Sequence, residues 1–327
     1  MFRIVHLIDD TQPGGVMRYL DFLANDPVLA REARHEVVTV SRTRPVPGAV
    51  AADLIVSHLT VTWRGLPGLM LLRATHPGVP LIHVEHSYCA GFAAANVSAP
   101  RRFHTLLRSA YALFDRVVAV SAAQGAWLRQ RGLVQPGALS VIQPCVALDA
   151  FRAVPAPQGP ALVIGAVGRF DRQKGFDLLI EAFRGLRHEA VELHLFGDGP
   201  ERARLEYLAR GDLGIRFRGF AADPTAAIAA CDVIAMPSRW EPYGLVAIEA
   251  LAAGRRLLVS GADGLTDHVV HGAEVVREGS VRGWTAALAG VMGQEPRPLE
   301  PLQAEAATRV GWSRLLRSVG ERVAGAA

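Results

Sequence analysis

The chain has 327 residues, 50% of them apolar, enough to bury two cores of ordinary domain size, and no apolar run reaches the length that crosses a bilayer. Its start, Met1 to Asp10, turns acidic too soon for a secretory leader, and Cys89, Cys145 and Cys231 have neither metal nor disulfide spacing, so reduced packing thiols in a cytoplasmic protein are expected. The net charge of +4 divides as 15 − 10 = +5 over residues 1–155 and 20 − 21 = −1 over 156–327, and a basic front half suits an anionic membrane surface or a phosphate-bearing acceptor. Nucleic acid is not an expected partner.

Phe2 to Ile8 reads as a buried first strand, followed by the loop Asp9 to Gly15 and a helix from about Val16 to Ala24. The pair Gly14-Gly15 leaves backbone amides bare between strand and helix. A dinucleotide fold would carry Gly-x-Gly-x-x-Gly here, and this loop does not, which argues against a nicotinamide enzyme. Strand signals recur at His35–Val40, Ala52–His58 and Val79–His86, with a helix near Leu66–Ala74, the rhythm of a parallel sheet wrapped by helices. His58 and His86 fall at strand ends, where doubly wound sheets bind ligands. From Arg101 to Phe114 apolar residues recur at helical spacing with Arg101, Arg102 and Arg108 off the stripe, which predicts a core-facing helix or, as the second reading, a helix lying on a membrane. Arg116–Ser121 predicts a strand and a serine cap, with a helix to about Arg131, and Val154–Pro160 reads as a linker.

The rhythm restarts at Ala161–Val167 and turns through Gly168-Arg169-Phe170-Asp171-Arg172-Gln173-Lys174-Gly175. Arg169 offers a guanidinium fork and Lys174 a compact ammonium, both suited to phosphate oxygens, whereas Arg172 reads as a solvated surface residue. Lys174 is the only lysine in a chain that uses arginine everywhere else. His194–Pro200 predicts a strand running into a tight turn, where Gly197 and its small neighbours admit a base or ribose. The stretch from Val233 to Gly254 then reads as a buried strand, a polar elbow at Ser238–Gly244 and a short helix closed by Gly254. The amides of Tyr243, Gly244 and Leu245 would form an anion pocket, with Val246 beside them. Glu241 and Glu249 frame that pocket at a separation of roughly 10–12 Å. Another strand, Arg256–Val259, leads to Ser260-Gly261-Ala262-Asp263-Gly264-Leu265, and Leu302–Val323 reads as a terminal helix.

Glu241-x7-Glu249 around Pro-Tyr-Gly-Leu-Val, ending in Glu-Ala-Leu-Ala-Ala-Gly, resembles the donor-site signature of family 4 retaining glycosyltransferases with the GT-B fold. The likeness extends to the Gly-Arg…Lys-Gly loop, the Gly-x-Gly-Pro turn and the His86 strand end. It thins beyond Gly272, and Ile142-Gln143-Pro144-Cys145-Val146 replaces the family's usual Ile-Pro-Asn-Gly-Val. The resemblance implies two Rossmann-like α/β domains facing a cleft, an acceptor-side domain over 1–155 and a donor domain over 156–327, with the last helix, about 302–323, returning to the first. It implies transfer of a hexose from a UDP- or GDP-linked donor to a saccharide or lipid-linked acceptor, with no metal and no cofactor. In that scheme His86 contacts the transferred sugar, Gly14 and Gly15 face the donor's phosphates or the acceptor, Glu241 holds hexose hydroxyls, and Glu249 accepts from the ribose. A nucleotide-sugar 2-epimerase and a non-catalytic transferase-like binding subunit are the alternatives on the same fold.

Overall fold

The computed structural model describes residues 2–12, 14–41, 50–186 and 190–326, with side chains described as far as Val319; Pro13 of the first glycine-bearing loop lies outside the described residues. Two compact units are present, Met1–Ala147 with Gln303–Ala327, and Leu148–Leu302.

The first unit is built on β1 (Phe2–Ile8), β2 (Ala33–Thr39), β3 (Leu54–Ser57), β4 (Leu81–Glu85), β5 (Arg116–Ala119) and β6 (Leu139–Val141). They form one parallel sheet of order β2-β1-β3-β4-β5-β6. Every residue of β3 and β4 is buried, and so are the last five of β1, because helices cover both faces of a parallel sheet. The sheet grows in opposite directions from β1 and β3. The carboxyl ends of those two strands are therefore the place where open sheets of this kind bind ligands.

The second unit repeats the plan with β7 (Val163–Val167), β8 (Glu192–Phe196), β9 (Ile215–Gly219), β10 (Val233–Met236), β11 (Arg256–Ser260) and β12 (Glu274–Val276). Its parallel order is β12-β11-β10-β7-β8-β9, so the reversal lies between β7 and β10. Ile164, Ala166, Leu193, Leu195, Val233, Ala235 and Leu258 supply the strand side of its core, and Leu179, Ile180, Phe183 and Trp284 close it from the helices.

Local signals act as the residues suggest. Ser121 accepts from the Gln124 amide at 3.1 Å and starts the helix Ala122–Gln130. In the helix Pro100–Tyr111, Leu106, Leu107, Ala110 and Tyr111 are buried while Arg101 and Arg102 are exposed, which is the core-facing arrangement. Arg108 donates to the carbonyls of Arg131 and Gly132, so this arginine closes the end of the next helix. All three cysteines are buried thiols, and burial pushes Cys231 up to about 12.

The proline-rich segment 154–160 lies inside the second unit, and the chain passes between units at Ala147/Leu148 and again at Leu302/Gln303. Arg255 explains its place: the guanidinium is 3% exposed and donates to the carbonyls of Pro155, Ile228, Ala229 and Ala253. A buried guanidinium needs its donors met, and Pro155 meets one.

The final helix, Ala304–Ala326, belongs to the first unit. Arg309 grips Asp26 at 2.7 Å, Trp312 donates through Nε1 to the Tyr19 hydroxyl at 2.6 Å, and Thr308 donates to the Gln143 carbonyl at 2.8 Å. Gly311 passes against Ile142, so the Ile142–Val146 segment is packed beneath this helix. Trp312 has no exposed surface. Trp312→Ala removes the packing and leaves the Tyr19 hydroxyl without its donor; it is expected to lower the unit's stability by about 3–5 kcal/mol, measured as a fall in the urea midpoint.

Candidate active site

Two loops meet at the reversal of the second sheet. After β7 the chain runs through Gly168 to Gly175, and Asp171 accepts from the Lys174 amide at 3.2 Å to close a 3-10 turn over Arg172–Lys174. After β10 it runs through Pro237 to Gly244 into the helix Leu245–Ala252. The Lys174 ammonium lies 2.6 Å from Oε2 of Glu241, with side-chain exposures of 21% and 8%. Ser238 donates to the same oxygen at 3.1 Å. Oε1 of Glu241 has no hydrogen-bond partner among the described residues, so the carboxylate is held by one oxygen and presents the other. An ammonium has three donors, which leaves Lys174 two beyond Glu241.

The backbone of the elbow is tied down on both sides. Arg239 takes Asp177 bidentately at 2.9 and 3.0 Å, its amide donates to the Gln173 carbonyl at 2.7 Å, and Gln173 returns a bond to the Trp240 carbonyl at 3.1 Å. Burial works to raise Asp177, yet the hydrogen bonds and charge of Arg239, with Arg204 behind it, outweigh burial and hold its carboxyl below the usual range. On the other side the Gly264 amide donates to the Glu241 carbonyl at 2.9 Å. Asp263, beside it, has φ 41°, the one positive φ outside glycine among the described residues, a strain of the kind that neighbouring contacts must hold in place. His268 donates through Nε2 to the Tyr243 carbonyl at 2.9 Å and packs tilted against the Tyr243 ring, with centroids 4.6 Å apart. Burial lowers His268 to about 4, so it is neutral at pH 7 with its proton on Nε2.

Gly244 stands at φ 90° and ψ 80°, where a side chain would be strained, and no side chain caps the first turn of the helix Leu245–Ala252. The amides of that turn and the positive end of the helix dipole therefore face an uncapped opening, as an anion site requires. Gly244, Leu245 and Val246 are partly exposed while Tyr243 is buried. Gly197, after β8, runs beside β7: a Cβ there would lie 1.9 Å from the Gly168 carbonyl oxygen, so only glycine allows that approach. Arg169 points its side chain outward, 66% exposed, 3.5 Å from Asp171. Arg172 is exposed, with its guanidinium 6.0 Å above the Trp240 ring. Glu249 is fully buried.

In the first unit Gly14 and Gly15 start the helix Gly15–Asn25, again without a side-chain cap. His86 follows β4, and its Nε2 lies 2.8 Å from Nδ1 of His58. Burial, which outweighs the raising effect of Glu85, lowers His86 to about 4. Glu85 itself accepts from the Tyr111 hydroxyl at 2.6 Å and from the amides of Ser87 and Tyr88 at 2.7 and 2.9 Å.

The residues singled out from sequence thus divide by unit: Lys174 and Glu241 are in contact, Gly197, Tyr243, Gly244, Leu245 and Val246 surround the same two loops, and Gly14, Gly15 and His86 belong to the first unit. Asp177, Arg239, Gln173, Asp263 and His268 carry the support and were not singled out as site residues. An Asp-Gly pair in the turn a few residues after a strand is the signal that marks Asp263.

Two parallel six-stranded sheets of this topology define the GT-B class. Residues 23–150 match the family model for Glycosyltransferase Family 4 and residues 161–294 that for Glycosyl transferases group 1; the chain belongs to this glycosyltransferase family. It is 30% identical over 282 residues to the D-inositol 3-phosphate glycosyltransferase of Gordonia bronchialis, covering 76% of this chain and 60% of that one. The chain spans only 27% to 35% of three further curated relatives. Among solved structures, sucrose-phosphate synthase from Thermosynechococcus elongatus superposes with a TM-score of 0.75 at 20% identity, covering 98% of this chain and 100% of that one. HepE of Anabaena in complex with UDP-glucose superposes with a TM-score of 0.65 at 20% identity, covering 100% and 99%.

The partly buried His35 and His86 shape the response to acid. His35 and His86 have folded values of about 4, both chiefly through burial, against an unfolded value near 6.5. Between those values the unfolded chain binds more protons, so their contribution is complete above about pH 6.5 and is lost as pH falls toward 4, at about 1.4 kcal/mol per pH unit for each group. Urea midpoints of the first unit measured from pH 7.5 to 4.5 should fall steeply in that window; a flat profile contradicts the burial.

Proposed function

We propose that the chain transfers a hexose from a UDP- or GDP-linked donor to a saccharide or lipid-linked acceptor, with retention and without a metal, in the synthesis of a bacterial surface polysaccharide, lipopolysaccharide or other glycoconjugate. The observation that carries this is the Lys174–Glu241 pair at the sheet reversal, set before an uncapped helix of eight residues. HepE, a structural neighbour, is described with UDP-glucose, and a Rhizobium meliloti relative, 41% identical over 123 residues, acts in lipopolysaccharide core biosynthesis, which supports a nucleotide-sugar donor and a glycoconjugate product.

In the reaction the bond from the anomeric carbon to the diphosphate oxygen breaks, a bond to the acceptor oxygen forms on the same face, and the acceptor's proton passes to the departing phosphate. Negative charge grows on the diphosphate. The two free donors of Lys174, the guanidinium of Arg169 and the amides around Gly244 and Leu245 stabilise that charge by fixed dipoles and charges. Oε1 of Glu241 accepts from a hexose hydroxyl while Lys174 and Ser238 hold Oε2, and in the first unit His86 offers a hydrogen bond to a saccharide oxygen. Glu249 takes the ribose hydroxyls once the residues over it move aside, Gly197 leaves space for the nucleoside, and Gly14 and Gly15 offer amides to phosphate or acceptor. Among the described residues no helix is long and apolar enough to cross a membrane, and contact with a lipid-linked acceptor is peripheral, through the basic first unit.

Lys174→Ala is expected to lower kcat/KM by about 10²–10³-fold with an unchanged circular dichroism spectrum, and wild-type turnover in that variant would overturn the mechanism. Thermal-shift titration separates the nucleotides: the cognate nucleoside diphosphate at 100 times its Kd adds about 2.7 kcal/mol, and the other adds little. Co-sedimentation with phosphatidylglycerol vesicles at low salt checks the peripheral contact, and no binding excludes it.

A further inference from the structure

Four imidazoles stand in file through the first unit. His35 lies on β2, His6 on β1, His58 directly after β3 and His86 directly after β4. Nδ1 of His35 is 2.9 Å from Nε2 of His6, Nδ1 of His6 is 2.9 Å from Nε2 of His58, and Nδ1 of His58 is 2.8 Å from Nε2 of His86. Successive ring centroids are 5.1–5.2 Å apart. The nitrogens meet in pairs and do not converge on a point, so the file is not a metal cage. Tyr19 approaches His86 edge-on at 6.0 Å and Trp312 approaches His6 at 6.3 Å, which closes the file laterally.

Proton counting leaves two arrangements. A neutral imidazole carries one N–H, and each of the three N···N contacts needs one donor and one acceptor. If His6 donates from Nδ1, then His35 must donate to its Nε2, His58 must donate from Nδ1, and His86 must carry its proton on Nδ1. If His6 donates from Nε2, every bond turns round, His86 carries its proton on Nε2, and His35 must carry one on its own Nε2. The far end decides between them. Nε2 of His35 is buried with no hydrogen-bond partner. The second arrangement buries an unpaired N–H there and the first only an unpaired lone pair, and orphaned buried donors are the rarer of the two. Because Nε2 of His35 is out of reach of solvent, the file has no second mouth for a proton and does not conduct protons. It is a lock.

At the near end, Nδ1 of His86 has no partner among the described residues, and the neighbouring Glu85 is occupied by Tyr111, His83 and two amides. We propose that His35, His6 and His58 are positioning residues that fix His86 as the neutral Nδ1–H tautomer, so that it offers a hydrogen-bond donor to an oxygen of the saccharide substrate. The assignment of that oxygen to a saccharide rests on the function proposed above; the tautomer does not. A proton added at His86 would turn the whole file and place an N–H on the buried Nε2 of His35. His86 is thereby held as a donor and kept from serving as a general acid.

Long-range ¹H–¹⁵N spectra of the intact protein at pH 7.5 test the lock without any substrate, with resonances assigned through single-histidine variants. All four rings should be neutral Nδ1–H tautomers; His86 as Nε2–H or doubly protonated overturns the proposal. His35→Phe removes the donor to His6, so His86 should then show both tautomers and the KM for the saccharide substrate should rise about tenfold, while the Kd of the free nucleoside diphosphate, which lacks the sugar, stays as in wild type. His35→Gln keeps an N–H for His6 and should restore the single tautomer and the KM. Identical His86 spectra in His35→Phe and wild type overturn the lock. The expected tautomers in a protein that turns over no sugar nucleotide would leave the lock standing and remove the transferase reading.

Discussion

An ion pair between neighbours in space that lie 67 residues apart in sequence, Lys174 and Glu241, organises the second unit. A carboxylate with 8% of its side chain exposed is costly to bury alone, and a partner ammonium with a hydroxyl from Ser238 offsets that cost. The pair forms because β7 and β10 are adjacent although β8 and β9 come between them in sequence, and their following loops meet at that junction. Around it, Arg239 and Asp177 fix one flank of the elbow, and the Gly264 amide and His268 fix the other. The site is consequently rigid at the pair and unfilled at the helix start, an arrangement suited to binding charge that develops elsewhere.

The first unit solves the burial of polar groups differently. Its sheet interior holds His6, His58 and His83 beside Glu85, and no arginine or lysine reaches them in the described hydrogen bonds. Burial drives His6 and His58 neutral, and neutral rings can satisfy one another in series. One unit thus carries a fixed charge pair after two strand ends, and the other an uncharged polar file that runs from within β2 and β1 to the ends of β3 and β4.

Much of this is legible in the residues. Apolar runs such as Leu54–Ser57 and Val233–Met236, each followed by a glycine- or serine-bearing turn, can hardly be read as anything but covered parallel strands. Lys174 stands out by composition and Glu241 by its place before Pro242, and both are found at the site. Their contact is not legible, because it depends on strand order, which no local pattern encodes. Asp177 and Arg239 look like ordinary solvated charges until β7 and β10 are placed side by side. His6 and His35 are harder still: positions 6, 35, 58 and 86 have no common period, and only a histidine inside an otherwise apolar strand signals that a polar partner must be nearby. The unit boundary is likewise hidden, since prolines at 155, 157 and 160 mimic a linker while Arg255 binds the first of them into the second unit.

The solitary lysine has a practical corollary for anyone handling the molecule. Reagents that acylate or reductively alkylate ε-amines find one such group in the sequence, and it is partly shielded and bound to a carboxylate. Its rate of labelling is therefore an occupancy gauge for a single place in the protein, free of the background that scattered surface amines create.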